Sequence, residues 1–192
     1  MIDRKGFTIW FTGLSLTTKS LLAEVIEGEL LERGLNVEIL DEETVDPILG
    51  SKPAESIEEI RKNLKKIQFI CKLLTRNGVI AIVSAISPTI DIRNEMREGL
   101  ENFIEVYVKG NTANQDFVSK VNLPDIDIEA IYEEPLNSEV IIESDKELPD
   151  ASAKKIIKTL ELLNWIPKVE YDDYSPEEEA KIQERLESLG YL

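Results

Sequence analysis

The stretch from residue 6 to residue 22, GFTIWFTGLSLTTKSLL, constrains the fold of this chain more than any other. It opens with a run of apolar, β-branched and aromatic residues, Phe7 to Phe11, which predicts a buried strand. The chain then passes through Gly13 and enters a helical pattern after Lys19 and Ser20. A buried strand that leads through a short loop into a helix is typical of an α/β domain with a parallel sheet.

The loop in this stretch has the outline of a phosphate-binding P-loop, G-x-x-x-x-G-K-[ST]. Gly13 is the first glycine, and Lys19 and Ser20 hold the K-[ST] positions, but Thr18 replaces the second glycine. In such loops the backbone N–H groups hold the phosphates, the lysine reaches the β and γ oxygens, and the hydroxyl binds Mg²⁺. We therefore predict an ATP site, with Ser20 as the Mg²⁺ ligand, from these residues: Gly13, Leu14, Ser15, Thr17, Thr18, Lys19 and Ser20.

The missing glycine bears directly on that prediction. Glycine is used where the backbone must approach a ligand closely, and Leu16 and Thr18 instead bring side chains into the turn. We expect these side chains to crowd the β-phosphate. An ordinary strand–loop–helix connection with a chance Lys-Ser pair is the other interpretation, and the sequence leaves both open.

Composition excludes several classes of function. The net charge of −16 over 192 residues argues against a nucleic-acid partner or an anionic membrane surface. The chain has no histidine, so histidine-based acid–base catalysis and histidine metal ligands are absent. Its single cysteine, Cys71, permits no intramolecular disulfide, and a reducing cytoplasm is the expected location. The N-terminal residues lack the apolar core of a signal peptide, and no run approaches transmembrane length.

Strand and helix patterns alternate along the rest of the chain. The first strand is followed by helices predicted over 21–33, 57–74, 91–100 and 150–163, and by strands over 35–40, 79–83, 103–108 and 140–142. This order predicts a P-loop NTPase-like three-layer α/β sandwich, with a mainly parallel sheet and helices on both faces. We expect a domain over 1–165 and, over 166–192, a linker and an amphipathic helix that begins at a Ser-Pro-Glu-Glu capping box and closes at Gly190. That helix either packs on its own domain or recruits a protein partner.

Three stretches together resemble the adenylylsulfate kinase family. They are GFTIWFTGLS at 6–15, RNGVIAIVSAISP at 76–88 and IYEEPLNSEVIIESDKE at 131–147, and the likeness extends over roughly residues 4 to 164. The resemblance implies transfer of the γ-phosphate of ATP to the 3′-hydroxyl of adenosine 5′-phosphosulfate (APS), a step of sulfate assimilation. It also implies a homodimer, because members of the family commonly pair in that way.

The resemblance assigns roles to particular residues. Lys19 would bind the β and γ phosphates, and Asp41, at the end of the second strand, would orient or deprotonate the acceptor hydroxyl. These two are the candidate catalytic residues. The candidate substrate-binding residues are Asn63, Lys65, Lys66, Ile86, Ser87 and Arg93. Simpler interpretations exist for several of them: an acidic loop at Asp41, a solvated helix face at the two lysines, and a turn at Ser87.

The departures from the family pattern predict impaired catalysis. Asp-Gly-Asp-x-x-Arg becomes DEETVD at 41–46, Asn-Ile-Arg-Arg becomes NLKK at 63–66, and Ser-Pro-aromatic-Arg becomes SPTI at 87–90. In the family, a lid segment carries an Asp-x-Lys-Gly-Leu-Tyr stretch. Here the corresponding segment is shortened and rewritten over 111–127, and it holds no equivalent of that lysine motif. Loss of one charge-assisted contact to a buried anion costs about 2–5 kcal/mol. Three hypotheses follow: a kinase of this class with an eroded site, a non-catalytic binding or regulatory module, and a kinase for a less anionic small molecule.

Overall fold

The structure is a computed structural model that describes residues 5–41, 45, 48–50, 54–110, 126–168 and 175–192. Its centre is a five-stranded sheet in the order β2-β3-β1-β4-β5, in which every pairing is parallel. The strands are β1 (Thr8–Thr12), β2 (Val37–Asp41), β3 (Ile80–Ser84), β4 (Phe103–Lys109) and β5 (Val140–Glu143). The helices are α1 (Leu16–Glu32), α2 (Ile57–Arg76), α3 (Ile90–Glu98), α4 (Ile128–Ile131), α5 (Pro149–Leu162) and α6 (Pro176–Ser188).

Helices cover both faces of the sheet and form two separate apolar cores. On β1, Ile9 and Phe11 face the core beneath α1 and α5, whereas Trp10 faces the core beneath α2 and α3. Successive residues of a strand point to opposite faces, so a strand covered on both sides must be apolar at every position. This is why the central strands are nearly continuous apolar runs. The predicted α/β sandwich with a parallel sheet is confirmed.

Side-chain caps fix where the helices begin. Ser56 caps α2, Thr89 caps α3, and Ser175 forms a complete capping box with Glu178 at the start of α6. The strand and helix bounds differ from the predicted ones by one or two residues at most ends, apart from the start of α1. In the described part of the chain, no helix has the length and apolar character required to cross a bilayer.

The start of α1 differs from the prediction. The sequence pattern predicted a helix from residue 21, whereas α1 begins at Leu16, with Ser15 as its N-cap. The Ser15 hydroxyl accepts a hydrogen bond from the Thr18 N–H at 3.3 Å. Without a glycine at position 18, the residues before Lys19 have no special backbone freedom, and a side-chain cap is sufficient to start the helix early.

The parallel arrangement gathers the candidate site residues at one edge of the sheet. Thr12 pairs with Tyr107 at the end of β1, and Asp41 pairs with Ser84 at the ends of β2 and β3. Open α/β sheets bind ligands at the carboxyl ends of their strands, where the order of strands reverses. In this sheet the reversal lies beside β1, and the loop after β1 is therefore the expected centre of the site.

Candidate functional site

Gly13 makes the turn that leads β1 into the loop. Its φ of +132° lies in a region that side chains disfavour, and an added Cβ would overlap the carbonyl oxygen of Val108 on β4. The loop therefore packs directly against the neighbouring strand. Glycine is required here for two independent reasons, the backbone conformation and the close approach.

Gly13→Ala is therefore expected to lower the free energy of unfolding by about 3 kcal/mol, from backbone strain and overlap together. Gly28→Ala is the matched control, since Gly28 lies in the exposed middle of α1 and an added Cβ there meets no atom within 4 Å. The control is expected to raise stability by about 0.5–1 kcal/mol, because alanine is the better helix former. Urea denaturation of both variants measures the two effects, and equal responses would contradict this role for Gly13.

The first turn of α1 occupies the place of an open phosphate cradle. The Thr18 N–H bonds to the Ser15 hydroxyl, and the Lys19 N–H bonds to the Ser15 carbonyl at 3.2 Å. The Ser15 hydroxyl in turn donates to the Thr18 hydroxyl at 2.6 Å. Two N–H groups that a phosphate would use in an ordinary P-loop thus have partners within the loop.

Lys19 is fully buried at the base of this loop. Its ammonium group donates to the carbonyl oxygens of Gly13, at 2.7 Å, and Ala85, at 3.0 Å. The lysine therefore ties the loop after β1 to the segment that follows β3. It lies at the predicted position, but in this structure its charge is held by backbone carbonyls.

Ser20 and Asp41 form a pair of oxygen ligands beside Lys19. The Ser20 hydroxyl donates to the Asp41 carboxylate at 2.9 Å and lies 3.4 Å from the Ser84 hydroxyl. Mg²⁺ is commonly bound by one or two protein oxygens together with substrate phosphates, so this donor set fits Mg²⁺. In the described ranges no group of three or more acidic or cysteine side chains could hold a metal by itself.

Ser87 belongs to a network of hydrogen bonds that links it to Trp10, Thr12 and Tyr132. Its hydroxyl accepts from the Trp10 indole at 3.1 Å and donates to the Thr12 hydroxyl at 3.2 Å. Thr12 is in turn hydrogen-bonded to the Tyr132 hydroxyl at 3.0 Å. Burial raises the pKa of Tyr132 to about 12, so its phenol is neutral at physiological pH. Trp10, Thr12 and Tyr132 were not among the predicted site residues, although all three lie in the stretches that carry the resemblance.

The structure places Arg93 in the protein interior, with 3% of its surface exposed. Its guanidinium donates to the carbonyls of Ser87, at 2.6 Å, and Glu133, at 2.5 Å, and pairs with Glu105 at 3.0 Å. It also lies 5.4 Å from the ring centre of Tyr132. Burial raises the pKa of Glu105, although Arg93 and Arg97 oppose the rise. Arg93 therefore joins three segments behind the site.

The candidate residues on α2 are Asn63, Lys65 and Lys66. Lys65 pairs with Glu95 of α3 at 2.6 Å, and Arg61 pairs with Asp91 and Glu95 of the same helix. Asn63 is buried on the inner face of α2, and Lys66 is half-buried. Ile86 is buried after the end of β3. The contact of Lys65 is thus with a neighbouring helix.

Several sequence predictions lie outside the described residues. They concern the Leu16 side chain, Glu42 to Thr44, Asp46, most of the rewritten lid (111–125) and part of the predicted linker (169–174).

Comparison with known proteins gives a consistent result. The model of the family described as adenylylsulphate kinase matches residues 5–120. An adenylyl-sulfate kinase of Rippkaea orientalis is 38% identical over 177 residues, which cover 87% of this chain and 98% of the relative.

Solved structures agree with this similarity. An APS kinase of Mycobacterium tuberculosis in complex with AMPPNP and APS is 27% identical, with a TM-score of 0.72, and the match covers 83% of this chain and 99% of that one. A hexameric APS kinase from Thiobacillus denitrificans is 29% identical with a TM-score of 0.69, and the match covers 87% of this chain and 31% of that one. The fold is thus that of the P-loop kinases.

Proposed function

Because this chain belongs to the adenylylsulfate kinase family, we propose that it binds ATP and transfers the γ-phosphate to the 3′-hydroxyl of APS, slowly and through a narrowed phosphate loop. The observation that carries the proposal is the convergence of Lys19, Ser20 and Asp41 at the carboxyl edge of the sheet. Phosphoryl transfer depends on positioning and on positive charge. Lys19 would supply a positive charge, and Ser20 and Asp41 would supply the oxygens that position Mg²⁺. The proposed location is the cytoplasm, where sulfate is assimilated.

Each retained residue has a role in this reaction. Lys19 exchanges its two backbone carbonyls for the β and γ oxygens of ATP, and the N-terminal end of α1 faces the same phosphates. Ser20 and Asp41 would hold Mg²⁺, which neutralises charge on the phosphates when bound. Asp41 would also orient the acceptor hydroxyl. The first turn of α1 has no acidic residue, so nothing in its sequence repels an anion.

Opening the loop has a limited cost. A helix N-cap contributes about 0.5–2 kcal/mol, so release of Ser15 from Thr18 weakens ATP binding about 2-fold to 30-fold. Each arginine that the family uses to bind APS and that this sequence lacks costs about 2–5 kcal/mol of binding free energy for APS, which is a larger effect. The cap alone therefore does not prevent ATP binding, and we expect the main defect in the binding and turnover of APS.

A non-catalytic module is the second candidate. The closed first turn of α1 favours it, because the Thr18 and Lys19 N–H groups are already bonded to Ser15. In that case the fold serves binding or regulation, through a small-molecule ligand, self-association or a protein partner at α6. Self-association is consistent with the hexameric relative and with either function.

A kinase for a less anionic substrate is the third candidate. The pairing of Lys65 with Glu95 favours it.

Calorimetric titration with ATP tests the first step. ATP is expected to bind more tightly with Mg²⁺ than without it, by about tenfold, because Ser20 and Asp41 would then share the ion with the phosphates. Ser20→Ala is expected to lose this difference. Ser84→Ala is the control, since its hydroxyl neighbours Ser20 but has no proposed role on the metal.

The outcomes separate the candidates. Absence of ATP binding at millimolar nucleotide contradicts both kinase functions and leaves the non-catalytic module. If ATP binds, an assay with APS follows, and turnover of other hydroxyl acceptors but not APS favours the third candidate. A Mg²⁺ effect that survives in Ser20→Ala contradicts the proposed metal ligand.

A further inference from the structure

The C-terminal helix α6 packs on the rest of the domain. Ile182 and Leu186 of α6 are buried, and Lys158 of α5 pairs with Glu179 at 3.1 Å. We call residues 175–192 the clasp, because its polar contacts converge on one stretch of the domain.

That stretch is residues 138 and 139. Arg185 donates from two guanidinium nitrogens, at 3.1 and 2.8 Å, to the carbonyl oxygen of Ser138. The Tyr191 hydroxyl donates to Glu139 at 2.6 Å. Arg97 donates two hydrogen bonds, of 2.6 and 3.0 Å, to the same carboxylate, and the Glu105 N–H donates a third at 2.6 Å. Glu139 is 4% exposed, so its charge depends on all of these partners.

The chain that leads into residues 138 and 139 begins at Tyr132, beside the candidate site. Tyr132 is hydrogen-bonded to Thr12, immediately before the phosphate loop. Glu133 accepts from Arg93 and from the Ile90 N–H, and its own N–H donates to the Pro88 carbonyl at 2.8 Å. Residues 132–139, which we call the bridge segment, thus extend from the phosphate loop to the clasp. They contain no helix or strand ladder of their own.

We propose that the clasp holds the bridge segment in place against the phosphate loop, and that Arg185 and Tyr191 are positioning residues for the nucleotide site. A segment without regular secondary structure keeps its position through its individual contacts. At residues 138 and 139, Arg185 and Tyr191 of the clasp supply part of these contacts, beside Arg97 and the Glu105 N–H. Its consequence for nucleotide affinity rests on the proposed function, whereas its mechanical part does not. The clasp acts through Tyr132 and touches no substrate.

Hydrogen exchange of the full chain tests the mechanical part without ligand. In Arg185→Ala and Tyr191→Phe we expect peptides within 130–140 to exchange about tenfold faster, with a smaller increase in residues 8–18. Lys181→Ala is the matched control, because Lys181 is an exposed cation one turn earlier on α6. Helix α2 is the internal reference, since none of the clasp contacts described above involves it.

Each outcome has a clear meaning. Faster exchange in residues 130–140, with α2 and the Lys181→Ala variant unchanged, supports the clasp. Unchanged exchange in those residues overturns it, and so does an equal acceleration of α2, because that indicates general destabilisation. Arg185→Lys keeps one donor and is expected to restore part of the protection.

Nucleotide binding is then measured in the same variants. The dissociation constant for ATP is expected to rise about threefold to tenfold, with kcat changed less than KM where turnover is measurable. If wild-type protein binds no ATP, the proposed function fails while the exchange result still decides the clasp. If the bridge segment loosens but ATP affinity stays the same, the positioning role of Arg185 and Tyr191 is overturned.

Discussion

Replacement of Thr18 by glycine is expected to raise the affinity for ATP, by up to about thirtyfold. The substitution removes the hydroxyl that receives the Ser15 bond and lowers the helix propensity of the first turn of α1. The Ser15 cap is then more easily released, and the N–H groups of residues 18 and 19 become available to phosphate. The same change is expected to lower the free energy of unfolding by about 0.5 kcal/mol. Calorimetry and urea denaturation measure the two quantities.

Thr17→Gly provides the matched control. Thr17 lies in the same turn and loses a similar helix propensity, but its side chain is exposed and takes no part in the Ser15 bonds. It is expected to lower stability by the same amount without a comparable gain in affinity. An equal gain in both variants would show that loosening of the helix, rather than the Ser15–Thr18 contact, limits nucleotide binding. If the affinity of Thr18→Gly for ATP does not increase, the Ser15–Thr18 contact does not limit nucleotide binding.

The strands were predictable because their pattern depends only on local sequence. A sheet covered on both faces needs unbroken apolar runs, and 79–83 and 103–108 supply them, so β3 and β4 lie within one residue of the predicted bounds. The start of α1 was missed because the P-loop outline was given more weight than the local cap. Ser15 immediately before Leu16 is itself an N-cap signal, and it predicts a helix from residue 16.

The surroundings of Arg93 could not be predicted in the same way. The sequence shows a cation after a Ser-Pro turn, and the resemblance implied a substrate contact. Its partners Glu105 and Glu133 are 12 and 40 positions away along the chain, and they meet it only after β4 and the bridge segment are packed. A contact that depends on tertiary packing leaves no periodic pattern in the sequence, and the same holds for the contact between Tyr191 and Glu139.

Arg93→Met is expected to lower the free energy of unfolding at pH 7 by about 3–5 kcal/mol, because it leaves the buried Glu105 carboxylate with a weaker partner. Arg61→Met is the control, since Arg61 pairs with Asp91 and Glu95 at the surface and such pairs contribute about 1 kcal/mol or less. The double variant Arg93→Met/Glu105→Gln is expected to recover part of the loss, because the uncompensated charge is gone. Equal effects of Arg93→Met and Arg61→Met would contradict the interior role of Arg93.

The pH dependence of Arg93→Met identifies the group responsible. Burial raises the pKa of Glu105 above its ordinary value of 4.5, and loss of Arg93 removes the first of the charges that oppose this rise. The folded variant then keeps a proton on Glu105 that the unfolded chain has already released. Its free energy of unfolding therefore falls as the pH rises from about 4.5, until the pH exceeds the folded pKa. The deficit relative to wild type should be small near pH 4.5 and largest at neutral pH, as measured by urea denaturation across that range. A deficit that is constant with pH would assign the loss to the backbone contacts of Arg93 at Ser87 and Glu133 instead of to its charge.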